Sequence, residues 1–368
     1  MEEKLLGIPK EEIDTPALLL DLDVLEANIK RIADFFTPLP AHLRPHIKTH
    51  KCPRIAKMQI ASGAKGITCA TLAEAEVMAA SLAGQAGIKD ILIANQIVGE
   101  KKIHRLVQLA RTAQPIVAVD DGENVSCLSK EANRFGVEIG SLVEVDVGMG
   151  RCGVEPEVAA ALAERIADSP GLKFSGLMGY EGHTVFIEDL AERKAAAEAA
   201  MRLLSKAKQE VEKAGLEVEI VSAGGTGTYS ITGKFPGVTE VQAGSYATMD
   251  AKYKKIVPEF DCALTLLATI ISRPRPNVAI TDCGMKAITH EFGLPEVLAL
   301  PGAKVVKLSE EHGKLQLSSK ARSLKVGQKI SLLPTHGCTT INLHHQFHCL
   351  RQGKVESIWP IAARARFR

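Results

Sequence analysis

The sequence predicts an α/β protein with a (β/α)8 barrel of the TIM type and a C-terminal antiparallel β-domain. Short apolar, β-branched runs alternate with longer segments of helical period, which is typical of βαβ units and a parallel sheet. Eight such repeats, spaced by roughly 25 residues, favour a closed barrel, with an open doubly wound sheet as the alternative. After Lys252, short strands separated by Gly, Pro and charged turns indicate a β-domain.

The length agrees with two domains. The 368 residues fit a barrel of roughly 250 residues and a second module of about 100. We place the barrel at 22–252 and the β-domain at 1–21 plus 253–368. Hydrophobic residues make up 46% of the chain and charged residues 24%, so we expect a large buried core.

The elements follow from local patterns. Candidate barrel strands lie at 42–50, 66–70, 90–96, 116–121, 141–148, 174–182, 219–225 and 240–246. Amphipathic helices rich in Ala, Leu, Glu and Lys are predicted at 71–85, 155–169 and 189–215. Strands of the β-domain are predicted at 263–274, 277–284, 303–309, 314–318, 328–337 and 354–366, and an opening strand at 15–23 is expected to join them.

Charge and cysteine usage exclude several classes. The 45 basic and 43 acidic residues are spread along the chain without a basic stripe, so nucleic acid is not an expected partner. The acidic N-terminus lacks a signal pattern, and no run reaches about 18 apolar residues, so we expect a cytoplasmic protein without a membrane partner. The eight cysteines form no CxxC pair, and all but Cys338 are interpreted as small buried hydrophobes.

Polar residues cluster at the C-terminal ends of the predicted strands, where barrels of this type place their active sites. Lys48 ends the first strand, in an alternation that turns its side chain toward the barrel mouth. Burial and nearby cations would favour its neutral, nucleophilic form, suited to a Schiff base; those cations are Arg44, His46, His50 and Lys51. A basic patch that binds an anion is the alternative.

Two turns of small residues suit a phosphate group. The run GGTGTY from Gly224 offers successive backbone N–H groups, and AGSY from Ala243 ends the next strand. Phosphate sites recur after strands seven and eight of such barrels, so the pair carries more weight than either turn alone.

A third constellation lies in the β-domain. His336 and Cys338 are two residues apart, so in an extended segment both side chains emerge on one face, and imidazole plus thiolate suits zinc. Water or a substrate oxygen would complete the coordination. The nearby His344, His345 and His348 are interpreted as a surface cluster, with further ligands as the alternative.

At these residues the sequence resembles, nearly end to end, the fold-type III pyridoxal-phosphate (PLP) enzymes of the D-threonine aldolase and D-serine dehydratase group, whose barrel is alanine racemase-like. The likeness of RPHIKTHK implies that Lys48 carries PLP. VEVDVGMGRCGV implies that Arg151 faces the pyridine nitrogen, and GLMGYEGH implies that Tyr180 lines the pocket. PTHGC implies a divalent metal (Zn, Mn or Mg) on His336 and Cys338. The implied phosphate contacts are Gly225, Thr226, Gly227, Gly244, Ser245 and Tyr246, and the group also implies a homodimer.

The resemblance leaves two reactions open. GGTGTY, QAGSYATMDAKY and ITDCGMKAI with GLPEV resemble the aldolases (D-threonine aldolase and 3-hydroxy-D-aspartate aldolase), whereas His-x-Cys resembles the zinc-dependent dehydratases. We favour retro-aldol cleavage of a β-hydroxy D-amino acid to glycine and an aldehyde, with His50 or His183 as proton acceptor. A dehydratase giving a 2-oxo acid and ammonia is the alternative. A PLP carrier or a racemase would not need the metal motif.

Overall fold

The computed structural model describes residues 5–80 and 87–368. The predicted start of the β-domain at 1–4, and residues 81–85 of the helix predicted at 71–85, lie outside the described part. The described chain forms two compact units. We call Ile32–Lys48, Ile55–Gly244 and Arg366–Arg368 the barrel unit, and the described residues up to Arg31 with Thr49–Arg54 and Ser245–Ala365 the β unit.

Strands and helices alternate through most of the barrel unit, and strands predominate from Leu264 onward. The strands are β1 (Ala17–Asp21), β2 (His42–Leu43), β3 (Ile67–Cys69), β4 (Asp90–Gln96), β5 (Gln114–Val119), β6 (Ile139–Glu144), β7 (Leu172–Gly179), β8 (Ile220–Ala223), β9 (Glu240–Val241), β10 (Leu264–Arg275), β11 (Val278–Thr281), β12 (Glu296–Leu298), β13 (Ala303–Leu308), β14 (Gly313–Leu317), β15 (Lys329–Leu333), β16 (Gln346–Arg351) and β17 (Lys354–Pro360). The helices are α1 (Leu22–Phe36), α2 (Pro53–Ala61), α3 (Leu72–Ala79), α4 (Glu100–Ala110), α5 (Gly122–Phe135), α6 (Ala159–Ala167), α7 (Leu190–Lys213), α8 (Tyr229–Thr232), α9 (Ala251–Ile256) and α10 (Gly337–Leu343).

The barrel unit contains a parallel sheet in the order β2-β9-β8-β7-β6-β5-β4-β3. The segment after β2 closes it, because Ile47 N donates to Thr68 O (2.8 Å) and Thr68 N donates to Pro45 O (2.9 Å). Five consecutive strands contribute a buried layer of Leu92, Ala118, Leu142, Met178 and Ile220. The predicted barrel is therefore confirmed, and the open-sheet alternative is wrong.

Arg44 does not act as the free cation that the sequence suggested beside Lys48. Its side chain is 1% exposed, and it pairs with the fully buried Glu240 (Nε to Oε2, 2.8 Å) and with Asp90 (NH1 to Oδ1, 2.5 Å). Burying a guanidinium requires such compensation, because an unpaired charge is costly away from water. The two carboxylates therefore neutralise Arg44 inside the barrel.

The β unit contains a nine-stranded sheet with the path β13-β14-β11-β10-β1-β16-β17, and β15 joins β10 to β12. The opening strand joins this sheet as predicted, because β1 pairs antiparallel with β10 and parallel with β16. Strands β12 and β16 were not predicted from the sequence. The segment 245–252 and Thr49–Arg54 also pack within this unit, so the boundary at 22–252 stays a prediction.

The histidines near β16 are mostly not the surface cluster that we expected. His344 Nε2 lies 2.7 Å from Ala287 O, and His348 Nδ1 lies 3.3 Å from Leu18 O. Burial lowers the pKa of both, and only His345 is well exposed. These contacts give His344 and His348 structural roles.

None of the helices in the described ranges is both long and apolar enough to span a bilayer.

Arg44→Met is expected to lower the free energy of unfolding by about 3 kcal/mol or more, because it leaves Glu240 charged and buried without its partner. Urea denaturation followed by circular dichroism measures the change. Adding Glu240→Gln to this variant should recover part of the loss, whereas Arg111→Met, at an exposed helix end, should have little effect. Equal losses of unfolding free energy in Arg44→Met and Arg111→Met would contradict the prediction.

Candidate active site

The ring of Tyr180 brings together the predicted cofactor residues of the barrel unit. Tyr180 follows β7, Lys48 follows β2, and Arg151 lies in the loop after β6. Lys48 Nζ lies 5.7 Å from the centroid of the Tyr180 ring, and Arg151 Cζ lies 5.6 Å from it. An amine, a guanidinium and an aromatic ring thus converge at the C-terminal end of the sheet, as the sequence predicted.

Two side chains that were not predicted as site residues lie next to Arg151: Glu144 pairs with it, and Gln96 binds Glu144. Glu144 Oε1 lies 3.7 Å from Arg151 NH2, and Gln96 Nε2 donates to Glu144 Oε2 at 2.5 Å. Burial raises the pKa of Glu144, against the opposing effects of Gln96 and Arg151. Asp146 shapes the same loop, since hydrogen bonds from the N–H groups of Gly150 and Gly148 hold the pKa of this carboxyl below its usual value.

The phosphate-type turn after β8 requires its glycines. A Cβ on Gly227 would lie 2.1 Å from Val185 O, and one on Gly225 would lie 3.3 Å from the Tyr180 ring. Gly224 has a φ of +80°, which side-chain-bearing residues rarely adopt. Thr226 is buried between them. The turn is therefore packed against both Tyr180 and the backbone at Val185.

A fully buried carboxylate, which the sequence analysis left without a role, lies behind this turn. Glu181 accepts hydrogen bonds from Gly224 N at 3.0 Å, from Thr228 Oγ1 at 2.7 Å and from Thr232 Oγ1 at 2.5 Å. Its position after a strand and before a glycine, in YEGH, was the only local sign that Glu181 could belong to the site. Its hydrogen-bond partners lie 43 to 51 residues away in sequence, so no local pattern identifies them.

The two candidate histidines differ in environment. His50 is fully buried, and its Nδ1 accepts from the N–H of Cys52 at 3.1 Å. In a neutral imidazole that accepts at Nδ1, the proton resides on Nε2, so that nitrogen donates. His183 is exposed and borders the Gly148 turn, where a Cβ on Gly148 would lie 3.4 Å from its ring.

In the β unit the structure brings His336 and Cys338 together, but not in the extended segment that we expected. His336 is the N-terminal capping residue of α10, and Cys338 lies in the first turn of that helix. The extended prediction was wrong because the helix begins at Gly337, whose N–H donates to the buried Asp250 Oδ2 at 2.9 Å. Asp250 Oδ1 also accepts from Tyr253 N at 2.8 Å, so one carboxylate begins two helices.

The surroundings of His336 are anionic. Burial opposes its protonation, but a hydrogen bond and negative charge from Cys338, with the carboxylates of Glu291 and Asp250, raise the pKa of His336 to about 9. Its Nδ1 lies 2.6 Å from Glu291 Oε1, and its ring stacks on Phe292 with centroids 4.4 Å apart. The imidazole is thus oriented from two sides, among groups that favour a cation.

The residues after Gly244 have neighbours of their own within the β unit. Cys338 Sγ lies 3.3 Å from Thr49 Oγ1 and 3.9 Å from Ser245 Oγ. Tyr246 is fully buried and packs against Phe260. The roles of Ser245, Tyr246 and the buried Gly244 as phosphate contacts stay predictions.

One further group has potential metal ligands. Ligand atoms of Asp120, Glu144 and Cys152 all lie within 4.8 Å of one another, and this is the group of three found among the described residues. Arg151 already supplies positive charge to Glu144 there. His336 and Cys338 are not part of this group, and their role as metal ligands stays a prediction.

Two parts of the chain match known protein families. Residues 20–252 match the alanine racemase N-terminal domain, and residues 263–350 match the putative serine dehydratase domain. D-threonine aldolase of Arthrobacter sp is 39% identical, over 97% of this chain and 94% of that protein. 3-Hydroxy-D-aspartate aldolase of Paracoccus denitrificans (strain Pd 1222) is 37% identical, over 98% and 94%.

Solved structures show the same relationship. The crystal structure of D-threonine aldolase from Filomicrobium marinum superposes with a TM-score of 0.95 at 38% identity, covering 99% of both chains. D-threo-3-hydroxyaspartate dehydratase from Delftia sp. HT23 gives 0.88 at 28% identity, covering 96% of this chain and 98% of that one. A cysteine-to-alanine mutant of D-threo-3-hydroxyaspartate dehydratase has been solved in a metal-free form, and a histidine-to-alanine mutant has also been solved.

Asp250→Asn is expected to reduce the zinc retained after dialysis by about tenfold, because the amide presents a donor to one of two buried N–H groups and loosens the turn at His336. Metal content per chain is measured by mass spectrometry. Asp261→Asn, the same change at an exposed carboxylate of this unit, should retain the wild-type content. Unchanged zinc in Asp250→Asn would show that this carboxylate does not position the turn.

Proposed function

Because the chain belongs to the family of D-threonine aldolase and 3-hydroxy-D-aspartate aldolase, we propose that it is a PLP- and divalent-metal-dependent lyase that cleaves β-hydroxy D-amino acids to glycine and an aldehyde. The similarity to two aldolases over almost the whole chain carries the proposal. The convergence of Lys48 and Arg151 on Tyr180 supports it.

The barrel unit fits PLP. Lys48 offers the amine that would hold the cofactor covalently, and the small-residue turn from Gly224 to Gly227, packed against the Tyr180 ring, would hold its phosphate. Arg151, which stays charged, would donate to the pyridine nitrogen and keep it unprotonated. When bound, PLP supplies an electron sink for the pair released as a bond to Cα breaks. Glu144 and Gln96 would hold Arg151 in place.

The β unit fits a divalent cation. His336 and Cys338 supply nitrogen and sulfur donors among anionic neighbours, a softer set that favours zinc over manganese or magnesium. In the dehydratase relative whose cysteine mutant was solved in a metal-free form, the mutated cysteine lies two positions after the mutated histidine, the same spacing as here. Bound there, a metal supplies a Lewis acid for the substrate's β-hydroxyl. Glu291 would hold His336 through Nδ1.

Of the two histidines proposed to accept the hydroxyl proton, the hydrogen bonds favour His183. His50 already accepts at Nδ1 from Cys52 N, so its other nitrogen is suited to donating. His183 is exposed and borders the turn of Gly148. We therefore assign proton removal to His183.

A dehydratase is the second candidate. The relatives include D-threo-3-hydroxyaspartate dehydratase, and the His-x-Cys spacing matches that enzyme's mutated pair. In this alternative Lys48 removes the Cα proton and the hydroxyl leaves, giving a 2-oxo acid and ammonia.

The homodimer and the cytoplasmic location stay predictions from the sequence.

Lys48→Ala is expected to abolish the visible absorbance of the lysine-bound cofactor in protein purified with PLP, because the amine that holds it is removed. Absorption spectra of equal protein amounts provide the measurement. Lys65→Ala, an exposed lysine of the same unit, should keep the wild-type spectrum. An unchanged spectrum in Lys48→Ala would contradict the assignment of the cofactor lysine.

Holoenzyme incubated with D-threonine is expected to produce glycine and acetaldehyde, because the proposed reaction breaks the bond between Cα and Cβ. Chromatography of the amino acids and an aldehyde assay identify the products, and D-serine and L-threonine are run in parallel. Pyruvate and ammonia from D-serine, without glycine from D-threonine, would replace the aldolase with the dehydratase. Equal turnover of L-threonine would refute the D configuration.

A further inference from the structure

We infer that Glu181 is a positioning residue that sets the direction of the hydrogen bonds in the phosphate turn, and so decides which donors of that turn meet the phosphate of PLP. The inference rests on the proposed function, since it requires that the turn binds the cofactor. It concerns the segment from Gly224 to Thr228, helix α8 and the end of β7, all in the barrel unit.

The direction of these bonds follows from the chemistry of the carboxylate. Three donors converge on Glu181, and a carboxylate can only accept. The hydroxyl hydrogen of Thr228 therefore points at Glu181. Its oxygen then has lone pairs directed away from Glu181, and one of them accepts the N–H of Gly225 at 3.2 Å. A relay thus runs from Gly225 N–H through Thr228 Oγ to the carboxylate.

This relay assigns the donors of the turn. The N–H of Gly224 is bonded to Glu181, and the N–H of Gly225 is bonded to Thr228. Neither group is directed at a ligand. Among the residues of this turn that the family resemblance implies as phosphate contacts, Thr226 and Gly227 stay the candidates. Gly225, which the family resemblance implied as a phosphate contact, is needed for space instead, because a Cβ there would lie 3.3 Å from Tyr180.

The charge of Glu181 supports a positioning role over direct binding. A carboxylate behind the turn repels a phosphate, so it cannot favour PLP through its own charge. It can favour PLP only through the donors that it fixes. Glu181 follows Tyr180 in the chain and binds Gly224 N, and the neighbouring Gly225 lies against the Tyr180 ring. The same carboxylate therefore sets how closely the turn approaches that ring.

Two isosteric substitutions separate this role from general stability. Thr228→Val removes the relay and leaves the buried N–H of Gly225 without its acceptor. Thr232→Val removes a second donor to the same carboxylate but no bond to the turn. Thr228→Ser restores the hydroxyl, and Glu181→Gln keeps the shape but replaces one acceptor with a donor.

The dissociation constant of PLP, the phosphorus-31 chemical shift of bound PLP and the thermal midpoint are measured for each protein after removal and re-addition of PLP. Thr228→Val and Glu181→Gln are expected to weaken PLP binding about tenfold or more and to move the phosphorus signal. Thr228→Ser should restore affinity to within about threefold of wild type. Thr232→Val should lower the thermal midpoint while the phosphorus signal stays unchanged.

Wild-type affinity and an unmoved phosphorus signal in Thr228→Val would overturn the inference, whatever happens to stability. A similar loss of PLP affinity in Thr232→Val would also overturn the inference, because Glu181 would then have only a structural role. If wild-type protein binds PLP and the variants behave as expected, but D-threonine yields no glycine, the inference stands and the proposed reaction fails. Wild-type protein that does not bind PLP would refute both.

Discussion

The closure of the barrel is the constraint on which the candidate cofactor site depends. The segment just before Lys48 is bonded on both sides, because His46 N donates to Ala243 O at 3.2 Å and Ile47 N donates to Thr68 O at 2.8 Å. In a parallel closed sheet, all strands end at the same rim. Lys48, Tyr180 and the turn after β8 can therefore share one end of the barrel although they are far apart in sequence.

Loops in both units are fixed in a common way, since a carboxylate accepts N–H groups of glycines in each. Asp146 binds Gly148 and Gly150, Glu181 binds Gly224, and Asp250 binds Gly337. Glycine allows the backbone to approach closely, and the carboxylate supplies the direction that glycine lacks. The rigidity of each loop thus comes from an acid that need not touch the ligand.

The difference between local loop patterns and the carboxylates that support them explains how much of the site the sequence could predict. The alternation of strands and helices, the small-residue turns and the residues Lys48, Arg151 and Tyr180 are local patterns, and the structure brings those three together. Two of the supporting acids act over long distances in sequence: Glu181 and Gly224 are 43 residues apart, Asp250 and Gly337 are 87 residues apart, and no local period links either pair. The prediction of an extended segment at His336 and Cys338 was wrong for this reason, because a distant carboxylate starts a helix between them.

The choice between cleavage and elimination likewise depends on groups that surround the reacting atoms. In the proposed function both reactions would use a metal on the β-hydroxyl, so the proposed ligand pair of His336 and Cys338 would not by itself select one. Cleavage requires a base for the hydroxyl proton, whereas elimination requires that the hydroxyl leaves as a protonated group. His50 Nδ1 already accepts from Cys52 N, and His183 is the histidine that we propose as the acceptor of the hydroxyl proton. Under the proposed function, the outcome would therefore depend on whether a base such as His183 faces the hydroxyl.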